Sequence, residues 1–534
     1  MNSNNIETFD MIIIGGGATG AGIALDATLR GYKVLLLEKD DFASGTSSKS
    51  SKLIHGGVRY LEKAVKQLDM AQYNLVKEAL YERALFIKNA PHLAKKLKLD
   101  TPIYNNFEIF YVYLGLLIYQ LISGKNNIGE NSFINKTLFA LLQPSIKKDG
   151  LEGAVSFFDG RFIDSRMVIA LLQTANSLGA QVKNYSEVKE FIYKSSNRLD
   201  GLNYQDVLSG ETIKVKSNCI INATGANIDN IRFLDDKNVD ELLTLSSGIH
   251  IVIPKEFLPN DEAILIPKTS DGRVVFVLPY LGECLVGTTD NEVQYSDNPK
   301  AKDEDIDFLL DQINSYFDKK VSKDDILSTW CGIRPLIKIG QDSVSSDVVR
   351  EHSIEISKSN LISIAGGKWT TYRKMAEELI DFAIENRVVN KRKRCKTKHY
   401  RLEGSKLSLR KTKYELEQTA PHSLKKQTID NLLNLYGNKS LDVLDIAVKY
   451  NAFELIHKDL PFIKAEIIYS IKFEFVQRPI DFLARRISLC FIDKQKALEC
   501  VRYVTSVMKT KLLWDEKKEN VELENTIKQI KELF

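Results

Sequence analysis

The sequence predicts an α/β fold in three parts: a parallel-sheet core of β-α-β type, an antiparallel β region, and an α-helical C-terminal region. Three observations carry this. Residues 10–38 read as a buried strand, a glycine turn, a helix and a second strand. Residues 249–289 break into short β-runs separated by turns. Beyond about residue 400 the apolar spacing is helical, with few strand signals. At 534 residues the chain is too long for one simple core, since domains usually run to ~100–200 residues.

The elements follow in order. Asp10 to Ile14 is a continuous apolar run bounded by glycine, which suits a strand covered on both faces. Gly15, Gly16 and Gly17 turn into a helix from Ala18 to Arg30, ended by Gly31. KVLLLE, 33–38, is the second strand. A Gly/Ser/Thr/Lys loop spans 44–52, and a long helical pattern from Leu61 to Asn89 stops at Pro91. Asp164 is positioned to cap a helix ending near Gly179. Cys219–Asn222 is a strand leading into ATG. IHIVIP, AILIP, RVVFVLPY and CLVGTT form the antiparallel part. Leu361–Ala365 enters Gly366-Gly367, and a helix follows from Trp369 to Glu385. The boundary falls in the basic stretch 391–398, which divides the chain into 1–390 and 391–534.

Composition excludes several classes. Hydrophobic residues are 44% and charged residues 27%, as in ordinary globular proteins. The net charge of +4 is too small to point to nucleic acid. Residues 391–426 are locally basic, with 13 Lys/Arg against 3 Asp/Glu. That run reads as a solvated linker face or as a contact for anionic lipid. The six cysteines show no paired spacing, so neither a metal site nor a disulfide framework is expected, and a reducing, cytoplasmic setting fits. The first residues carry no signal-peptide pattern. Ile109–Ile122 is uncharged but short of the ~20 residues that span a bilayer. It reads as a buried element or as an interfacial membrane contact, with Lys95, Lys96, Lys98 and Lys125 nearby.

The first β-α-β unit carries chemistry. Gly15-x-Gly17-x-x-Gly20 supplies the turn, the close backbone approach to a pyrophosphate and the helix–strand packing. Glu38 ends the second strand, where a carboxylate accepts from ribose hydroxyls; this favours FAD or NAD over NADP. Thr46, Ser47, Ser50 and Ser51 add hydroxyls, and Asn222–Gly225 reads as a strand returning beside the first. Gly366, Gly367 and Lys368 at a helix start can direct N–H groups and a cation at a flavin carbonyl. Together these favour FAD.

IIIGGGATGAGIALDATLRG (12–31), TSSKSSKLIHGGVRYLE (46–62), VKEALYERALFIKNAPHL (76–93), INATGA (221–226), LVGTTD (285–290), GIRPL (332–336) and GGKWTTYRKMAE (366–377) resemble the FAD-dependent glycerol-3-phosphate dehydrogenase family. The likeness is specific over residues 10–377 and looser in the tail. It implies a glutathione-reductase-type, DAO-like FAD domain, a substrate sheet inserted into it and a helical cap. It also implies oxidation of sn-glycerol 3-phosphate to dihydroxyacetone phosphate, with electrons passing to a membrane quinone at the inner leaflet of the cytoplasmic membrane. A homodimer is left open. No EF-hand loop of the mitochondrial type occurs in the sequence.

By the same resemblance, Arg59, Arg334 and Arg350 bind the anionic substrate and Tyr60 donates a hydroxyl. Lys368 lies between substrate and flavin, and His250 takes the C2 hydroxyl proton. An imidazole near its ordinary pKa of ~6.5 is partly neutral at pH 7 and suits that role. His55 is expected to be structural or near the flavin, and Asp290 reads as a turn residue or a polar group of the site. Two other readings compete: a soluble oxidase of glycerol 3-phosphate or an amine, using oxygen, and a non-catalytic nucleotide-binding module.

Overall fold

The computed structural model describes residues 6–57, 69–267, 269, 272–338, 352–422 and 424–534. Its parallel core is a six-stranded sheet. In spatial order the strands are His352–Ile356, Leu361–Gly366, Ile220–Asn222, Met11–Ile14, Val34–Leu37 and Gln181–Lys183. All pairs are parallel except the first. The apolar run Met11–Ile14 is buried on both faces, as the lack of alternation requires. Met11 and Ile13 join one hydrophobic cluster with the helix Ala18–Arg30; Ile12 and Ile14 join another with Leu202 and Val215.

The second large sheet has ten strands and is mainly antiparallel. Its central strand Leu243–Ile253 is flanked by Ser328–Ile337 on one side and Glu283–Gly287 on the other. The far end is built from Ala94–Ile103, Gly153–Phe162 and the short strand Leu53–Ile54. Leu53–Ile54 is the joint: the chain leaves the parallel core through loop 44–52 and enters the antiparallel sheet there.

Among the described residues no strand follows Leu361–Gly366, and helices from Leu409–Thr419 to Glu516–Leu533 make up the rest. This helical part is fastened to the nucleotide half by buried ion pairs. The Arg486 guanidinium holds both Asp41 oxygens, at 2.7 and 2.9 Å, just after Glu38 in the chain. Arg166 holds Glu474 through two bonds of 2.6 Å. Breaking one partner of such a pair strands a buried charge.

One local expectation changes, and two others gain detail. Asp164 does not cap its helix. It sits in the first turn of Asp164–Ser177, buried, where Lys52 Nζ and Ser50 Oγ bind its carboxylate at 2.8 and 2.7 Å. Lys52, from a loop more than a hundred residues away, holds both carboxylate oxygens, while the helix backbone bonds them only through Ser165 N at 2.8 Å. The helical pattern 61–89 is described from Met70 to Asn89, capped by Asp69; residues 61–68 lie outside the described residues. The apolar run lies within the helix Asn106–Ser123, of which only Leu116, Tyr119 and Ser123 are buried. Lys95 and Lys98 turn to Asn434 and Glu262, whereas Lys96 is exposed. The basic stretch runs back along the parallel core, with Arg392 on Asp10 and Lys398 near Glu377.

Candidate active site

The glycine turn is a fitted cradle. A Cβ on Gly20 would lie 1.9 Å from the Gly15 carbonyl oxygen, and one on Gly15 would lie 2.6 Å from that of Ala223. The returning strand therefore packs directly against the turn, with Ile220 in register with Ile12. No acidic side chain occupies the first turn of the helix Ala18–Arg30, so no carboxylate of the helix repels an anion at its N-terminus. Glu38 accepts from Gly16 N at 2.7 Å and from Asp40 N at 3.0 Å. Burial pushes its carboxyl up to about 7. A closed turn, an open helix end and a half-buried carboxyl beside them are the donor and acceptor set that a dinucleotide requires, and these residues fit FAD.

Loop 46–52 ties the cradle to the second sheet. Ser47 Oγ accepts from Ala18 N at 2.9 Å at the helix start. Thr46 Oγ1 donates to the Ile333 carbonyl at 2.5 Å, next to Arg334. Ser50 and Lys52 anchor on Asp164. Ser51 Oγ lies 2.8 Å from His250 Nε2. Gly366 and Gly367 both have left-handed φ values, 72° and 79°, which glycine adopts at no steric cost. They swing Lys368 and Trp369 toward this loop, and Trp369 Nε1 donates to the Ser47 carbonyl at 3.0 Å. Gly225 begins a short turn just beyond the returning strand.

His250 is buried and stacks on Trp330, with ring centroids 5.2 Å apart and 17° between planes. The two residues are directly paired on adjacent strands. Burial first, then the charges of Lys52 and Arg334, hold the imidazole well below its usual range. The expected partly neutral imidazole is thereby shifted further toward its neutral form, the form that accepts a proton. Gly287 makes room for it, since a Cβ there would lie 2.2 Å from His250 Cδ2.

Arg334 lies on the same face as His250, because Ser246 and His250 pair with Arg334 and Trp330 in one register. Its Nη1 donates to the Ser247 carbonyl and Asp290 Oδ1, each at 3.2 Å. Its Nη2 donates to Thr288 Oγ1 and the Thr289 carbonyl, each at 3.1 Å. Asp290 is thus more than a turn residue: it pairs with Arg334 and also accepts from Ser246. Gly248 leaves space for the guanidinium.

The structure thus brings Ser47, Ser51, His250, Arg334 and Trp369 into linked contact. Arg59, Tyr60 and Arg350 lie outside the described residues. Sequence reasoning missed Lys52, Trp330 and the Arg334–Asp290 pair. The doubled K-S-S-K pattern was a signal for the first. The pairing of Trp330 with His250 had no local signal. His55 follows the joint strand, and the next residue, Gly56, donates its N–H to the Tyr119 hydroxyl at 2.7 Å. That hydroxyl also lies 3.0 and 3.1 Å from the Asp159 oxygens, which Arg83 holds in turn.

Residues 10–373 match the model of the FAD dependent oxidoreductase family, so fold and site define a flavin-dependent oxidoreductase. Residues 395–519 match the C-terminal domain of alpha-glycerophosphate oxidase. The mitochondrial glycerol-3-phosphate dehydrogenase of Bos taurus is 39% identical over 98% of this chain and 73% of its own length. The probable enzyme of Dictyostelium discoideum is 37% identical over 99% and 85%. The crystal structure of the glycerol-3-phosphate dehydrogenase of Bacillus halodurans with FAD superposes with a TM-score of 0.79 at 28% identity, covering 100% of this chain and 96% of that one. The chain belongs to the FAD-dependent glycerol-3-phosphate dehydrogenase family.

Proposed function

We propose that this protein oxidises sn-glycerol 3-phosphate to dihydroxyacetone phosphate and delivers the electrons to a membrane quinone. The observation that carries the reading is the single chain of contacts from the nucleotide cradle to the substrate face: Ala18 to Ser47, loop 46–52, then Ser51 to His250. Gly15, Gly17, Gly20, Glu38, Thr46, Ser47, Gly225 and the Gly366–Lys368 segment would hold FAD, which would supply the hydride acceptor. The chain's own residues do the rest. Arg334, with Arg59, Arg350 and Tyr60, binds the dianion, the guanidinium fork being suited to phosphate. Asp290 fixes the Arg334 fork against the sheet. Neutral His250 takes the C2 hydroxyl proton at Nε2, the atom facing Ser51, and Trp330 keeps the ring in plane. Lys368 places a cation at the flavin edge. Residues 1–390 form the oxidoreductase unit and 391–534 its helical cap.

Membrane contact belongs to the same reading. The helix Asn106–Ser123 turns Phe107, Phe110, Tyr111, Leu114 and Leu121 to the outside, with Phe107 89% exposed, and Leu138 and Leu141 add to this apolar area. Its other side is fixed by Tyr119. An exposed apolar area of this kind marks an interaction surface, here a monotopic one that lets quinone approach. The deciding experiment is rapid mixing of holoenzyme with glycerol 3-phosphate, followed by turnover with quinone, oxygen or NAD. Flavin bleaching and quinone-dependent turnover are expected. Flavin that stays oxidised would overturn the proposal.

A further inference from the structure

Away from the active site, one cavity carries positive charge that the surrounding fold does not neutralise. The strands Ala94–Ile103 and Gly153–Phe162 place Lys95 directly opposite Arg161. Such cross-strand neighbours share a face with Cβ atoms about 5 Å apart. They line a cavity of about 190 Å³ that Asn434, on the helix Lys426–Tyr436, closes from the helical cap. At about 30 Å³ per water this is room for roughly six waters, or for one small phosphate ester.

The charges around it do not balance. Among the described residues Arg161 forms no ion pair; its one hydrogen bond runs from Nη1 to the Pro279 carbonyl at 3.5 Å. Lys95 Nζ donates to Asn434 Oδ1 at 2.6 Å and meets no carboxylate there. Lys52, on the inner wall, is already neutralised by Asp164. At the rim Lys255 lies 3.6 Å from Asp261, and Glu283 accepts the Lys255 backbone N–H. Asp261 acts on Arg161 only at longer range. His92 lines the inner end, 2% exposed, with Nδ1 lacking a hydrogen-bond partner among the described residues. Burial, and for Lys95 also the charge of Arg161, lowers the pKa of both cations. Like charges opposite each other on a sheet are destabilising, and desolvation adds to that cost. An Arg fork beside a Lys ammonium is the arrangement that binds phosphate.

We propose that this cavity is a second anion site, which takes a small phosphate-bearing molecule between Arg161 and Lys95 and so bridges the substrate sheet to the helical cap. It shares Lys52 with the loop that carries Ser51, but not Ser51, His250 or Arg334 themselves. It lies at the Glu283 end of the strand Glu283–Gly287, whereas Gly287 at the other end packs on His250.

The test uses full-length holoenzyme and inorganic phosphate, with ionic strength held constant by chloride. An Arg334→Leu background weakens the phosphate affinity of the active site, and the Lys95→Gln/Arg161→Gln comparison isolates the second site from what remains. In that background phosphate should raise the melting temperature. Adding Lys95→Gln and Arg161→Gln should weaken phosphate binding by about tenfold or more. The same pair of changes should raise the melting temperature in chloride alone, because two repelling, desolvated charges are gone. In the wild-type background it should leave kcat/KM for glycerol 3-phosphate within about twofold. An Arg334→Leu protein that ignores phosphate overturns the proposal, and so does a Lys95→Gln/Arg161→Gln protein that keeps the full response. Should that variant not fold, selenate soaked into wild-type crystals decides: an anomalous peak between Arg161 and Lys95 supports the site, and an empty cavity at saturating selenate overturns it.

Discussion

The nucleotide cradle and the substrate face solve different problems. The cradle's turn, helix and acidic strand end lie within the first 38 residues, and its glycines work by what they lack: there is no space for a Cβ at Gly20 against Gly15, or at Gly15 against Ala223 of the returning strand. The proposed substrate face draws Ser51, His250, Asp290 and Arg334 from four separate segments. Each works by what it contacts. The cradle should therefore fail all at once, whereas the substrate face should lose function in graded steps.

The largest effect is expected at Gly20→Val. Its side chain would have to occupy the position of the Gly15 carbonyl, so the purified chain should lose its flavin absorbance altogether. Retention of stoichiometric flavin would show that the turn can open, and the contrast between the regions would collapse.

Next comes His250→Ala. A positioned base is typically worth about 10²–10⁴ in rate, so flavin reduction at saturating substrate should slow by at least about a hundredfold. The sign of the pH effect follows from burial. A base is lost as pH falls through its pKa, and His250 is held well below its usual value. The wild-type rate should therefore stay flat from about pH 8 to about pH 6, with the acid limb below the range of a free imidazole near 6.5. An acid limb centred near 6.5 would mean that the substrate-bound ring is solvated.

Arg334→Leu should lower kcat/KM by roughly 10- to 150-fold, since charge-assisted bonds are worth about 1.5–3 kcal/mol. The loss should fall mainly on KM if ground and transition states are held alike. Asp290→Asn should cost less, and a double-mutant cycle should show coupling between the two. Strict additivity would separate Asp290 from the substrate face. The smallest effect on chemistry is expected from Phe110→Glu with Leu114→Glu. Flotation with anionic liposomes should be lost while flavin reduction by substrate stays within about twofold. Unchanged flotation would remove the apolar helix from the membrane reading.

The sequence by itself determined the parallel core. A buried run without alternation, a glycine turn and a second apolar run specify a β-α-β unit locally, and the observed strands agree within one residue at each end. Chemical identity was equally legible, because GGGATGAG and GGKWTTYRK are constrained by backbone approach as much as by side chains. Only the tertiary structure decided which groups are neutral and which are paired. Asp164 resembles a helix cap until Lys52 reaches it from a distant loop. His250 resembles an ordinary imidazole until Trp330 and the charges of Lys52 and Arg334 surround it. Whether 109–122 is core or surface could not be read from its composition, since an apolar helix suits either. Contacts from Tyr119 to Gly56 and Asp159 fixed one side and left the phenylalanines outside. The physical reason is common to all three: local steric limits are written in neighbouring residues, whereas desolvation and charge pairing depend on groups brought together from far along the chain.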